Sequence, residues 1–232
     1  MLRGALKSLV LAALVAAGAA RAGAAPQVDT SGPAQLIGSV AETMLVSLDA
    51  HRAEYRKDPA RLDALVSEVM LPHFDAQYAA RLVLGRHWTT ASATQRSRFV
   101  DAFYHSLLRN YGNALVDFTP ERLKVLPYQG SADAPNATVR TQVRKNDGTM
   151  IAVNYSLHRT SEGWKAWDVV IEGVSYVKSF RDDFGSEIDA TGLDALIQRL
   201  EKQQGLPAGQ RAEGPRACSS VKPTATTGCG PT

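Results

Sequence analysis

Cysteine is nearly absent: the 232 residues contain two, Cys218 and Cys229, both in the last stretch of the chain. A disulfide-stapled core and a cysteine-ligated zinc site are thereby excluded for the body of the protein. In an oxidising compartment the pair can close a small loop within the tail; an intermolecular bridge or two free thiols are the competing readings. Histidine is scarce too. The five, His51, His73, His87, His105 and His158, show no His-x-x-x-His or Cys/His spacing, so no metal site is expected. A Gly-x-Ser-x-Gly elbow and a phosphate-cradling glycine loop are also missing, which leaves no catalytic motif and no cofactor to assign. Charge of one sign is lacking as well. The formal +3 arises from Arg3, Lys7 and Arg21; beyond residue 22 the chain carries 23 basic and 23 acidic side chains. With no net positive excess, nucleic acid is not an expected partner.

What is present begins with a basic start, an apolar run from Leu9 to Ala17, and small residues at Ala20-Arg21-Ala22 or Ala22-Gly23-Ala24. This order is that of a secretory signal peptide over residues 1–22. The run is short for a membrane span, and no cysteine follows it for lipid attachment. Residues 23–32 read as a linker, 33–204 as one domain, and 205–232, rich in Pro, Gly, Ala, Ser and Thr, as a disordered tail.

Within the domain, helices come first. Leu36, Ile37, Val40, Met44, Leu45 and Leu48 form one apolar stripe from Pro33 to Arg56. Asp58-Pro59 supplies an N-cap and a first-turn proline for a second helix, which Pro72 stops. Phe74 to Leu84 reads as a third helix ending at Gly85. Ser92-Ala93-Thr94-Gln95 has the capping-box pattern and opens the longest helix, to about Phe118. Phe99, Phe103, Leu107, Tyr111 and Leu115 advance in fours along it. Such a face fits a helix packed on a sheet or a wall turned towards a ligand.

From Pro120 the period changes to two. Leu123 and Val125, then Ala137, Val139, Thr141 and Val143, then Ile151, Val153, Tyr155 and Leu157 alternate with polar residues. Asn146-Asp147-Gly148 and Ser161-Glu162-Gly163 mark hairpins. With the strand from Trp164 to Ile171 they predict a four-stranded antiparallel sheet, wet on one side. The fold class is therefore α+β, with helices on one face of a curved sheet. After the Glu172-Gly173 corner, Ser175 is a candidate N-cap for a helix carrying Val174, Val177, Phe180 and Phe184, and Thr191 for the last helix. Asp168 and Glu172 stand among apolar residues. Each is either a general base of raised pKa, as in an isomerase or hydrolase, or a hydrogen-bond partner of the backbone corner.

Gly85-Arg86-His87-Trp88, Gln95 with Phe99 and Tyr111, the Tyr155 strand, Gly163-Trp164-Lys165, and Asp168 through Ser175 match the toluene-tolerance family in order and spacing. The resemblance covers roughly residues 35–203, and the Asp168–Ser175 block is its most specific part. The chain departs from the pattern in its cysteine-containing tail and in Phe180-Arg181, where a Tyr-Arg pair is common. That family includes the periplasmic phospholipid carrier of the bacterial Mla (maintenance of lipid asymmetry) system, and a branch of it is associated with hopanoids. The resemblance implies a cone like that of nuclear transport factor 2, enclosing an apolar cavity. It also implies a non-enzymatic shuttle in the periplasm. The implied partners are phospholipid, an inner-membrane ABC-transporter complex and an outer-membrane lipoprotein–porin complex. The expected cavity wall comprises Trp88, Phe99, Phe103, Leu107 and Tyr111 from the helices. Val139, Ile151, Val153, Tyr155, Val169 and Ile171 come from strands, and Val174, Val177 and Phe180 from the last segment.

Overall fold

Local signals set most of the element boundaries. The computed structural model describes residues 28–116, 119, 122–131, 133–145 and 147–204, without the side chains of 108–115 and 204. The predicted signal segment, the tail with both cysteines, and the side chain of Tyr111 lie outside the described residues. Helix α1 (Pro33–Lys57) runs with a kink at His51 into α2 (Pro59–Val69), which the Asp58 carboxylate caps at the Ala60 N–H. A single 3-10 turn, Leu71–His73, leads to α3 (Ala76–Leu84), capped by Asp75 at the Tyr78 N–H. The helix thus starts two residues later than the sequence suggests, because Phe74 and Asp75 are held by the sheet. A short α4 (His87–Thr90) precedes α5 (Ala93–Val116), where Ser92 and Gln95 form the reciprocal capping box.

The strands are β1 (Leu123–Val125), β2 (Asn136–Arg144), β3 (Met150–Thr160), β4 (Gly163–Ile171) and β5 (Val174–Ser175). They form one open antiparallel meander in sequence order. The expected count of four is corrected to five. Glu172 (φ 50°) and Gly173 (φ 83°) both adopt the left-handed region, and this two-residue turn folds Val174-Ser175 back onto β4 before helix α6 (Tyr176–Thr191) begins. Val174 therefore belongs to a strand, not to the helix. Ser175 does cap α6, accepting from the Lys178 N–H at 3.0 Å. Thr191 does not cap α7 (Leu193–Gln204): its hydroxyl bonds back to the Glu187 carbonyl within α6, and Gly192 (φ 88°) makes the break.

Register shifts between Ser156 and Leu157 leave Trp167 without a cross-strand partner, a bulge that re-aims its ring. That ring meets Tyr78 of α3 edge-on at 5.6 Å. The open edge of β4 is closed at the other end by Phe74, which bridges to Ala166, and by the Asp75 N–H, which donates to the Ala166 carbonyl. Helices contact both faces of the sheet, which amends the expectation of one face. Leu157 and His158 point to opposite sides. Leu157 packs with Leu36 and Ile37 of α1, whereas His158 stacks on Tyr78 and bonds to Asp75 at 3.0 Å.

Three apolar clusters result. The first joins α3, α5, α6 and α7, centred on Phe103, whose ring meets Phe180 at 5.2 Å and stacks on Phe99 at 5.6 Å. Bidentate pairs, Arg98 with Glu201 and Arg199 with Glu187, tie α7 to its neighbours. The second lies between α1 and the sheet. The third joins the middle of α1 to α2 and to Val116 at the end of α5. The family-like Gly85-Arg86-His87-Trp88 segment has a structural use. Gly85 (φ 52°) ends α3 where a Cβ would stand 3.0 Å from the Arg181 guanidinium, and Arg96 lies over the Trp88 ring. Among the described residues no helix is long and apolar enough to cross a membrane.

Candidate functional site

Cross-strand pairing assembles one apolar face from every strand. Residues directly opposite share a side, so the register gives the rows. One row is Leu123, Val143 and Ile151; the next is Val125, Thr141, Val153, Ile171 and Val174. Then come Val139, Tyr155 and Val169, and last Ala137, Leu157 and Ala166. Burial varies across this face. The last row lies sealed under Leu36 and Ile37 of α1, and Val139, Thr141 and Val153 are buried in the rows beside it. Leu123, Val143 and Ile151 in the first row, and Val169 and Ile171 on β4, are only part-buried. Nothing in strand formation requires five apolar side chains to stay partly open.

Helix α1 connects this face to the helices. At Gly38 it passes Val125, a Cβ there standing 4.0 Å from the valine Cγ2. Its Leu36 and Ile37 belong to the sheet cluster, and its Met44 and Leu48 to the cluster containing Val116 of α5. Met44 lies seven helical steps beyond Ile37, about 10 Å along the axis. The sheet face and the end of α5 are thus two apolar bodies strung along one helix.

The residues expected to line a cavity divide between these surfaces. Val139, Ile151, Val153, Tyr155, Val169, Ile171 and Val174 share the sheet face, with Val174 exposed at its rim. Trp88, Phe99, Phe103, Leu107, Val177 and Phe180 come together separately, in the helical cluster. Leu123, Val125, Thr141 and Val143 were not included in the expected wall, although the alternation along β1 and β2 puts them on the same side as Val139.

One polar device interrupts the face. The Thr141 hydroxyl donates to the Val153 carbonyl at 2.7 Å, and the Tyr155 hydroxyl bonds to Thr141. Burial pushes the Tyr155 phenol above its ordinary pKa, and the Thr141 bond acts in the opposite sense. The phenol is neutral at physiological pH, so no charge stands on this surface.

The two carboxylates flagged by sequence both serve the corner. Asp168 is buried and lies on the other side of the sheet, opposite Ser156. It accepts from the Val177 N–H at 3.0 Å and from the Ser175 hydroxyl at 2.6 Å, anchoring the first turn of α6. Glu172 is exposed; its N–H donates to the Ala152 carbonyl and its carboxylate accepts from the Ala152 N–H. This is the backbone-corner arrangement.

Residues 38–202 match the family model described as MlaC protein. The chain is similar to the toluene tolerance protein ttg2D of Pseudomonas putida, 26% identical over 189 residues that cover 81% of this chain and 85% of the relative. It is 24% identical over 178 residues to the intermembrane phospholipid transport system binding protein MlaC of Haemophilus influenzae, covering 75% and 83%. The fold is similar to that of a phospholipid-binding protein from Ralstonia solanacearum solved in complex with a phospholipid. That likeness has a TM-score of 0.68 at 23% identity and covers 72% of this chain and 94% of the other.

Proposed function

From the premise that this chain belongs to the MlaC protein family, we propose that it is a non-enzymatic phospholipid carrier of the periplasm. The observation that carries the reading is the uncharged sheet face, drawn from all five strands and left part-buried at Leu123, Val143, Ile151, Val169 and Ile171. Acyl chains lie against Ile151, Val169 and Ile171, in an apolar cavity that α1 and α5 complete as a cone with the sheet. The headgroup stays in water. Two similar proteins, one a phospholipid transport binding protein and one solved with a phospholipid bound, support the choice of cargo.

The energetics set the design. Two acyl chains of common length hold about thirty methylenes, so exposing them to water costs on the order of 24 kcal/mol. A carrier must enclose them nearly as well as a bilayer, which calls for apolar walls and no ionised group among them. It exchanges its cargo with an inner-membrane ABC-transporter complex and an outer-membrane lipoprotein–porin complex, maintaining the lipid asymmetry of the outer membrane. Mass spectrometry of the protein purified under native conditions from bacterial cells tests the reading. Phospholipid is expected to co-purify with the folded chain. A hopanoid in its place would redirect the cargo to the other branch of the family, and repeated recovery of lipid-free protein would contradict the carrier function.

A further inference from the structure

The side of β1–β3 turned away from the apolar face carries a second kind of chemistry. Lys124 stands opposite Gln142, diagonal to both Arg140 and Arg144, and all three cations are exposed. Diagonal neighbours on a sheet are about 7–8 Å apart, within a Debye length at physiological salt, so their fields add. The other residues of that side on these strands include no acid; at its far end His158 bonds to Asp75, and Asp168 of β4 is held by the Ser175 hydroxyl and the Val177 N–H. Arg140 is held by the neutral Gln129 amide at 3.1 Å. Among the described residues none of the three cations is in an ion pair. The acids at the rim are engaged: Asp147 with Lys145 and the Thr149 N–H, Glu172 with the Ala152 N–H. A large exposed apolar side chain stands on the same side, since Met150 (46% exposed) pairs across from Arg144.

We propose that this basic face, with Met150 at its rim, docks on a bilayer surface containing anionic phospholipid. Cations spaced along a sheet match a layer of phosphates, and an apolar side chain beside them inserts between headgroups. An acidic protein would satisfy the cations but would leave the isolated Met150 side chain without a matching environment. The face is opposite the apolar wall, so docking does not rest on the carrier function, and the two are read by different measurements.

Co-sedimentation of the purified protein with vesicles tests the docking. Binding is expected with vesicles containing phosphatidylglycerol and not with phosphatidylcholine alone, and it should weaken as salt rises. Each removed cation costs about fivefold in affinity, so Lys124→Gln/Arg140→Gln/Arg144→Gln is expected to weaken binding on the order of a hundredfold. Removing two exposed charges on other elements, Lys57→Gln/Lys202→Gln, should leave it nearly unchanged. All these positions are solvent-facing, and an unchanged thermal melt establishes that each variant is folded. Absence of binding by the wild type, or equal binding by the triple variant, would overturn the proposal. Retention on immobilised polyglutamate that depends on the three cations, without vesicle binding, would overturn it in favour of an acidic protein partner.

Discussion

Replacing Val169 by aspartate is expected to lower phospholipid occupancy by about a hundredfold or more, since an aspartate within hydrocarbon costs about 2.5–3.5 kcal/mol. Val169 is the choice because it lies opposite Tyr155 in the middle of the apolar face and is part-buried. In the lipid-free protein a carboxylate there keeps contact with water, so the fold tolerates it. Under acyl chains it loses that water. The neighbouring Val170→Asp supplies the control, because Val170 pairs with Asn154 on the opposite side. The same charge one residue along should leave occupancy close to that of the wild type. Comparison of bound lipid per chain by native mass spectrometry decides the matter. Equal losses in both variants would place the lipid elsewhere or assign the loss to general damage.

The second large effect falls on stability. Asp168→Ala removes two charge-assisted hydrogen bonds, leaves the buried Val177 N–H unpaired and frees the Ser175 hydroxyl that caps α6. Hydrogen bonds to charged groups contribute about 1.5–3 kcal/mol each, so a loss of about 3 kcal/mol or more follows. For a domain of this size that lowers the melting temperature by roughly 6–12 °C. Asp168→Asn keeps one acceptor and should fall between. Circular dichroism melts give the shift, and a melting temperature within about 1 °C of wild type would refute the anchoring role. At a temperature where both variants are folded, lipid occupancy should remain. Its selective loss in the stable Asp168→Asn protein would point instead to a direct role for the carboxylate.

Short-range chemistry made much of this architecture legible in the sequence. Asp58-Pro59, Ser92 with Gln95, and Ser175 each announce a cap whose hydrogen bond is present. The period of two along 137–143 and 151–157 placed the strands and the side each residue occupies. What the pattern could not supply was the surface each stripe meets. Phe99 and Phe103 recur at helical spacing as a ligand-facing wall would, yet Phe180 and Phe184 close over them. Period fixes which side chains share a face, and only tertiary packing fixes their partner. Strand β5 escaped because it is two residues long and its turn has a glutamate, not glycine, at the first left-handed position. The Trp167 bulge was hidden for a related reason, since one extra residue leaves composition unchanged while reversing the side of everything beyond it.

The account rests on acyl chains lying against the part-buried residues of the sheet face. The most direct measurement uses a phospholipid with a photoreactive diazirine midway along one acyl chain, loaded into the protein, irradiated, and mapped by peptide mass spectrometry. Adducts are expected on the strand segments bearing Val143, Ile151, Val169 and Ile171, at those residues and not at their outward-facing neighbours. Adducts confined to the opposite side, at Arg140, Ala152 or Asn154, with lipid demonstrably bound, would contradict it.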